Sequence, residues 1–133
     1  MRLLLDTNVL VAALNFDGIC RLLVKRIARR DEVFTSETLL DELRSTLTGK
    51  FGWTKEKSLE AVALYRDHFT VEEPKPLKVP ICRDPDDGHV IAVGLHAGTD
   101  AIITGDKDLL SLVSHQGLRF ISPREFWDFA AEG

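Results

Sequence analysis

Carboxylates hold the positions in this chain where chemistry could be done: Asp6 in LLLDTN, Glu42 in SETLLDEL, Asp84, Asp86 and Asp87 in CRDPDDGHVIA, and Asp106 and Asp108 in IITGDKDLL. Each stands where an apolar run ends or a helix begins, and two follow runs typical of buried strands. Parallel packing of those strands would gather carboxylates from distant parts of the chain at one sheet edge. There they would repel one another unless a hard cation lay between them. Divalent-cation chemistry on oxygen ligands is the first expectation.

Each acid also has a plainer reading, and the two must be weighed together. At roughly 100° per residue, Leu39, Leu40, Leu43 and Leu47 define an inward stripe with Glu42 on its shoulder and Asp41 nearly opposite. An isolated Glu42 would read as a solvated helix residue. Asp84 suits a helix N-cap, with Pro85 at the first helical position and Asp86 and Asp87 in the first turn. Asp87 shares a face with Val90, Ile91 and Gly94, so it leans toward the sheet and is the stronger ligand candidate of the three. In TGDKDLL one aspartate can cap the next helix while the other faces the cluster. Asp106, nearer the strand end, is favoured over Asp108, with Thr104 able to add a hydroxyl. Asp6 can likewise be a cap, so the signal lies in the combination.

The elements that must position these groups alternate between strand and helix. Strands are expected at Leu3–Leu5, Val33–Phe34, Phe69–Glu73, Ala101–Thr104 and Leu118–Ile121. Helices are expected over residues 8–14, 18–30, 36–47, 54–68, 85–97 and 107–113, with a last one after Ser122 and Pro123. For residues 54–68, Leu59, Val62, Ala63 and Arg66 give the helical spacing. The Pro-rich segment PKPLKVP reads as a crossing loop. Such alternation implies right-handed crossovers and a parallel sheet covered on both faces. Ligands bind beyond the carboxyl ends of such strands, where Asp6 and Asp106 fall.

The bounds exclude several classes. The 133 residues suit a single domain, 1–133, able to bury a core without staples. Cys20 and Cys82 lack CxxC spacing, no secretory signal opens the chain, and no apolar run approaches membrane-spanning length. A reduced, cytoplasmic protein without membrane contact is expected. The net charge is −4, unlike that of a non-catalytic nucleic-acid binder. Residues 1–70 carry 11 Lys and Arg against 10 Asp and Glu, and the remainder 6 against 11, so the acid excess lies with the later stations. His89 and His96 have no zinc spacing. Arg21, Lys25 and Arg29 on one helix face, and Lys50, Lys55 and Lys57 after it, read first as solvated charge and second as a phosphate grip.

The four stations, in order, resemble the motifs of PIN-domain nucleases, in particular the toxins of bacterial and archaeal toxin–antitoxin pairs. LLLDTNVLVAAL is similar to the opening strand and first acidic motif, SETLLDEL to the second, DPDDGHVIAVGLHAG to the third and IITGDKDLL to the fourth. The resemblance covers essentially the whole chain. It implies an α/β fold, a three-layer α/β/α sandwich around a parallel sheet of about five strands. It implies Asp6, Glu42 and Asp87 as core ligands of Mg²⁺ or Mn²⁺ and Asp106 as the fourth acid, with Asp84 and Asp108 as secondary candidates. The implied activity is metal-dependent endoribonuclease, the toxin of such a pair, with an RNA substrate, a cognate antitoxin protein as partner and a homodimeric state.

Two other readings stay open on the residues alone. Asp6 after a first strand and GDKD after a later one also resemble haloacid-dehalogenase-like phosphatases, although Asn8 stands where those usually carry a second acid. The same cleft could also serve a non-catalytic module that binds RNA or a protein partner.

Overall fold

The computed structural model describes residues 1–75 and 84–132, and most of the expected crossing loop at PKPLKVP lies outside them. Leu3 and Leu4 are wholly buried and Leu5 nearly so, as a strand covered on both faces requires. They belong to the strand Arg2–Leu5 (β1). There follow Thr7–Asn15 (α1), Ile19–Arg30 (α2), Glu32–Thr35 (β2), Glu37–Lys50 (α3), Lys55–His68 (α4), Thr70–Val71 (β3), Pro85–His96 (α5), Ala101–Ile103 (β4), Lys107–Leu110 (α6), Ser114–His115 (β5), Leu118–Ile121 (β6) and Pro123–Glu132 (α7).

Side-chain oxygens start most of the helices, satisfying amide groups that a helix leaves without partners. Asp6 accepts from Thr7 N, Ser36 from Leu39 N, Thr54 from Lys57 N, Asp84 from Asp86 N and Asp106 from Asp108 N. Three of these caps are acids, and all three were also ligand candidates.

The strands lie in the order β3-β2-β1-β4-β6-β5. Every pairing is parallel except β5 with β6. The chain winds outward from β1 through β2 to β3, then returns to place β4 on the other side of β1. The direction of winding thus reverses between β1 and β4, which opens a crevice beyond their carboxyl ends. Alternation along the strands divides the interior in two. Leu3, Leu5, Ala101 and Ile103 face a core completed by α1 to α4 and α7, whereas Leu4, Phe34, Ile102 and Phe120 face one completed chiefly by α5.

Three details depart from the sequence reading. The sheet has a sixth strand, β5, which pairs antiparallel with β6 through a tight turn at Gln116 and Gly117. Both turn residues have positive φ, 50° and 83°, the geometry that suits the twist of a two-residue hairpin. The helix expected over residues 107–113 stops at Leu110, because the chain must turn into that hairpin. In α4 the inward face is Ser58, Ala61, Val62 and Tyr65, with Leu59 46% exposed. The stripe through Leu59, Ala63 and Arg66 was therefore rotated by about one residue.

Gly94 sets how closely α5 approaches the sheet. A Cβ there would lie 3.0 Å from Leu118 Cδ2, 3.1 Å from Ile102 Cδ1 and 3.2 Å from Thr99 Oγ1. Gly94→Ala would improve helix propensity by roughly 0.5–1 kcal/mol but overpack the contact by about 1–3 kcal/mol. A net loss of about 1 kcal/mol is expected in urea unfolding. A variant more stable than wild type would show that α5 can withdraw from β4 and β6 without cost.

Candidate metal centre

The parallel register pairs Leu5 with Ile103, so the residues that follow the two strands, Asp6 and Thr104, must emerge side by side. Asp6 N donates to Ile103 O at 3.0 Å, extending the ladder by one bond. The Asp6 carboxylate is buried and accepts at both oxygens, from Thr7 N at 2.8 Å and from Thr104 Oγ1 at 2.7 Å. Thr104 Oγ1 in turn accepts from Asp106 N at 3.0 Å. One hydroxyl thereby fixes two acids that lie 100 residues apart in sequence.

Asp106 caps α6 through Oδ1, which accepts from Asp108 N at 2.8 Å. Asp87 enters from the first turn of α5 and is buried against this pair. Carboxylate oxygens of Asp87, Asp106 and Asp108 all lie within 4.8 Å of one another, so capping and clustering do not exclude each other. Glu42, half-buried on α3, is approached by Thr7 Oγ1 at 3.5 Å from Oε2. Asp6, Glu42, Asp87 and Asp106 line one cleft of about 430 Å³, which Asp84 and Asp86 also line.

Burial and mutual repulsion act in the same direction on these groups. Burial is the main cause that pushes the Asp87 carboxyl up to about 6, followed by the charges of Asp106 and Asp84 and by hydrogen bonding with Asp106. Burial also raises Asp6 above the usual carboxylate range, with Asp106 adding to the rise and the bonds from Thr104 and Thr7 opposing it. Glu42 is raised by burial first and then by Asp86 and Asp6. The cleft holds negative charge reluctantly, which is the state a bound cation relieves.

The donor set fits a hard divalent cation. It consists of carboxylate oxygens, to which Thr104 and Thr7 bring hydroxyls, and no histidine or cysteine is among the described residues that line the cleft. Such a set suits Mg²⁺ or Mn²⁺ rather than zinc or copper. His89 stands behind it, with Nε2 2.9 Å from Ser36 Oγ, tying α5 to the start of α3. Burial lowers its pKa and so favours the neutral ring.

Several residues fall elsewhere than the sequence reading placed them, or were missed by it. Arg21 donates from Nε to Ala13 O at 2.9 Å and from Nη2 to Leu14 O at 3.3 Å, closing the carboxyl end of α1. With Lys25 it lines a separate, more apolar hollow of about 500 Å³ between α1, α2 and α4. Arg29 is exposed on α2, and neither it nor the other two is among the described residues lining the acidic cleft. Thr7 and Asn8 were missed. Asn8 Oδ1 accepts from Gly105 N at 3.4 Å, which joins α1 to the loop after β4. Their place directly after Asp6, in DTN, was the available signal.

Comparison with known proteins identifies the family and the fold. Residues 2–108 match the family model described as PIN domain. The uncharacterized protein MJ1680 of Methanocaldococcus jannaschii is 29% identical over 140 residues, covering 95% of this chain and 89% of the relative. Among solved structures, the fold is similar to VapBC2 from Rickettsia felis bound to a DNA fragment from its promoter, with TM-score 0.65, 13% identity and coverage of 92% and 98%. It is also similar to VapC20 of Mycobacterium tuberculosis, a Sarcin-Ricin loop cleaving toxin, with TM-score 0.62, 18% identity and coverage of 88% and 98%.

The raised Asp87 pKa has a sign that can be checked in metal-free protein. Its contribution to stability is complete below the unfolded value of 3.8 and is lost as pH rises through about 6. Wild type should therefore lose stability relative to Asp87→Asn by on the order of 1 kcal/mol between about pH 5 and pH 8. Asp87→Asn is a cleaner probe than Asp6→Asn, because an amide at position 6 cannot accept at both sites. Denaturant melts of both proteins at the two pH values make the comparison, and a constant difference would contradict the placement of Asp87.

Proposed function

The chain belongs to the PIN-domain nuclease family, and on that premise we propose that it is a metal-dependent endoribonuclease, the toxin of a toxin–antitoxin pair. The observation that carries the reading is the convergence of Asp6, Glu42, Asp87 and Asp106 on one cleft at the sheet's switch point. Asp6, Glu42, Asp87 and Asp106 would hold Mg²⁺ or Mn²⁺, with Asp84 and Asp108 as secondary candidates. When bound, the metal supplies positive charge for the phosphodiester and lowers the pKa of coordinated water.

The chain's own groups supply position. Thr104 orients Asp6 and Asp106 through its single hydroxyl. Asp87, partly protonated near neutral pH, gives up its proton as the cleft is neutralised. The buried N-cap bonds keep Asp6 from turning away from the cleft.

The same reading extends to partners. The similarity to VapBC2 from Rickettsia felis supports a cognate antitoxin protein for this chain as well, with homodimerisation as part of the proposal. The chain would act as a single domain, in the cytoplasm where its RNA substrate is found. Among the described residues no single helix is long and apolar enough to cross a membrane.

A panel of cellular RNAs with mapped cut sites tests the proposal. Cleavage should require Mg²⁺ or Mn²⁺, disappear with chelator and return with added metal. Cleavage undiminished by chelator would overturn it. So would RNA binding without cleavage, or phosphate release from a small monoester in its place. Within the motifs, Asp87→Asn should cost far more activity than Asp86→Asn, and Glu42→Gln far more than Asp41→Asn, because Asp87 is buried and Glu42 half-buried while their neighbours are exposed. Thr104→Val should weaken metal affinity by about 10-fold to 100-fold, the usual cost of removing a group that orients ligands. Unchanged metal affinity in Thr104→Val, measured calorimetrically, would remove Thr104 from the site.

A further inference from the structure

The acidic cleft does not end at the acids. Nine residues separate Thr7 from Phe16 along α1, and nine separate Glu42 from Phe51 along α3. Thr7 meets Glu42 at one end, and Phe16 meets Phe51 at the other. The two helices therefore run side by side in the same direction, and the trough between them extends about 14 Å from the acids at 1.5 Å per residue. Its far end is walled by two phenyl rings, 57% and 39% exposed, with centroids 6.0 Å apart and planes at 76°. Both rings line the same cleft as Asp6 and Asp87.

Exposed single apolar side chains need no explanation, but these two line the far end of a polar cleft. Each stands at the C-cap of its helix, outside both buried cores. Lys50 is the only lysine or arginine among the described residues that line the cleft, and it immediately precedes Phe51. A polyanion entering here meets six carboxylates and one ammonium, so attraction to phosphate cannot be the main grip away from the metal. Stacking on an aromatic face is indifferent to that charge. Bases inside a duplex already stack on one another, which leaves such a face to unpaired nucleotides.

We propose that Phe16 and Phe51 form a base-stacking subsite at the far end of the acidic cleft, with Lys50 on the adjoining phosphate. This rests on the nuclease reading of the cleft. The rings act on binding and register, and the acids act at the phosphodiester.

The test uses the full chain with Mn²⁺ and single-stranded RNA oligonucleotides spanning a mapped cut site, with one abasic nucleotide walked along the strand. In wild type, cleavage under subsaturating conditions should fall about 5-fold to 100-fold when the missing base is at one or two positions set back from the cut. Phe16→Ala with Phe51→Ala should show a comparable loss on the intact strand and no further loss at those abasic positions. Phe51→Trp should retain the wild-type pattern, whereas Phe51→Leu, apolar but without an aromatic face, should lose it. The stabilisation of each variant by Mn²⁺ should match wild type, showing that the fold and the acids are intact. If wild type cuts no RNA, the nuclease reading fails and the subsite with it. If it cuts but the abasic scan is flat, or Phe51→Leu behaves as wild type, only the subsite is overturned. Unchanged cleavage with an altered oligomeric state would assign the rings to a protein interface and likewise overturn it.

Discussion

The parallel pairing of β1 with β4 is the constraint on which the rest depends. It joins residues 98 positions apart in sequence, and its register of Leu5 with Ile103 brings Asp6 and Thr104 out together. Thr104 Oγ1 then donates to one acid and accepts from the backbone of the next. A slip of one residue would turn Thr104 to the opposite face of the sheet and separate the pair. The wholly buried Leu3, Leu4, Ile102 and Ile103 prevent such a slip, because each would exchange one core for the other.

Gathering carboxylates at that point has an electrostatic cost, and the fold offsets part of it with helix starts. Asp6, Asp84 and Asp106 each cap a helix, and Asp86 and Asp87 occupy the first turn of α5. Negative charge at these ends is stabilised by free amide groups and by the helix dipole. The offset is incomplete, since Asp6, Glu42 and Asp87 all keep raised pKa values. What remains is mutual repulsion among buried carboxylates, which a bound cation would relieve. The aromatic end of the same trough carries little charge, so one groove presents two different chemistries along its length.

Much of this was legible in the sequence because the signals were local and periodic. The apolar runs before Asp6 and Asp106 marked the central strands, and the heptad-like spacing of Leu39, Leu40, Leu43 and Leu47 placed Glu42 on a half-buried shoulder. Asp87 was separable from Asp86 by its shared face with Val90 and Ile91. Less legible was whether Asp106 caps or faces the cluster, a choice that dissolves because a carboxylate has two oxygens. The β5 hairpin was hidden because Gln116 and Gly117 lack the Asn-Gly or Asp-Gly signature of such turns. The inward face of α4 was misjudged because Ser58 and Tyr65 are buried there in place of the more apolar Leu59. The fate of Arg21 depended on carbonyls at the end of α1 that no sequence pattern displays.

The central claim is that the acids converge tightly enough to hold a proton that a metal ion must displace. Calorimetric titration of Mn²⁺ into the protein, in buffers of different ionisation heat, counts the protons released per ion bound. With Asp87 near 6, release of about half a proton or more is predicted at pH 6 and almost none at pH 8, and Asp87→Asn should abolish most of the difference. Metal binding of full strength with no proton release at either pH, or release identical in Asp87→Asn, would contradict the account.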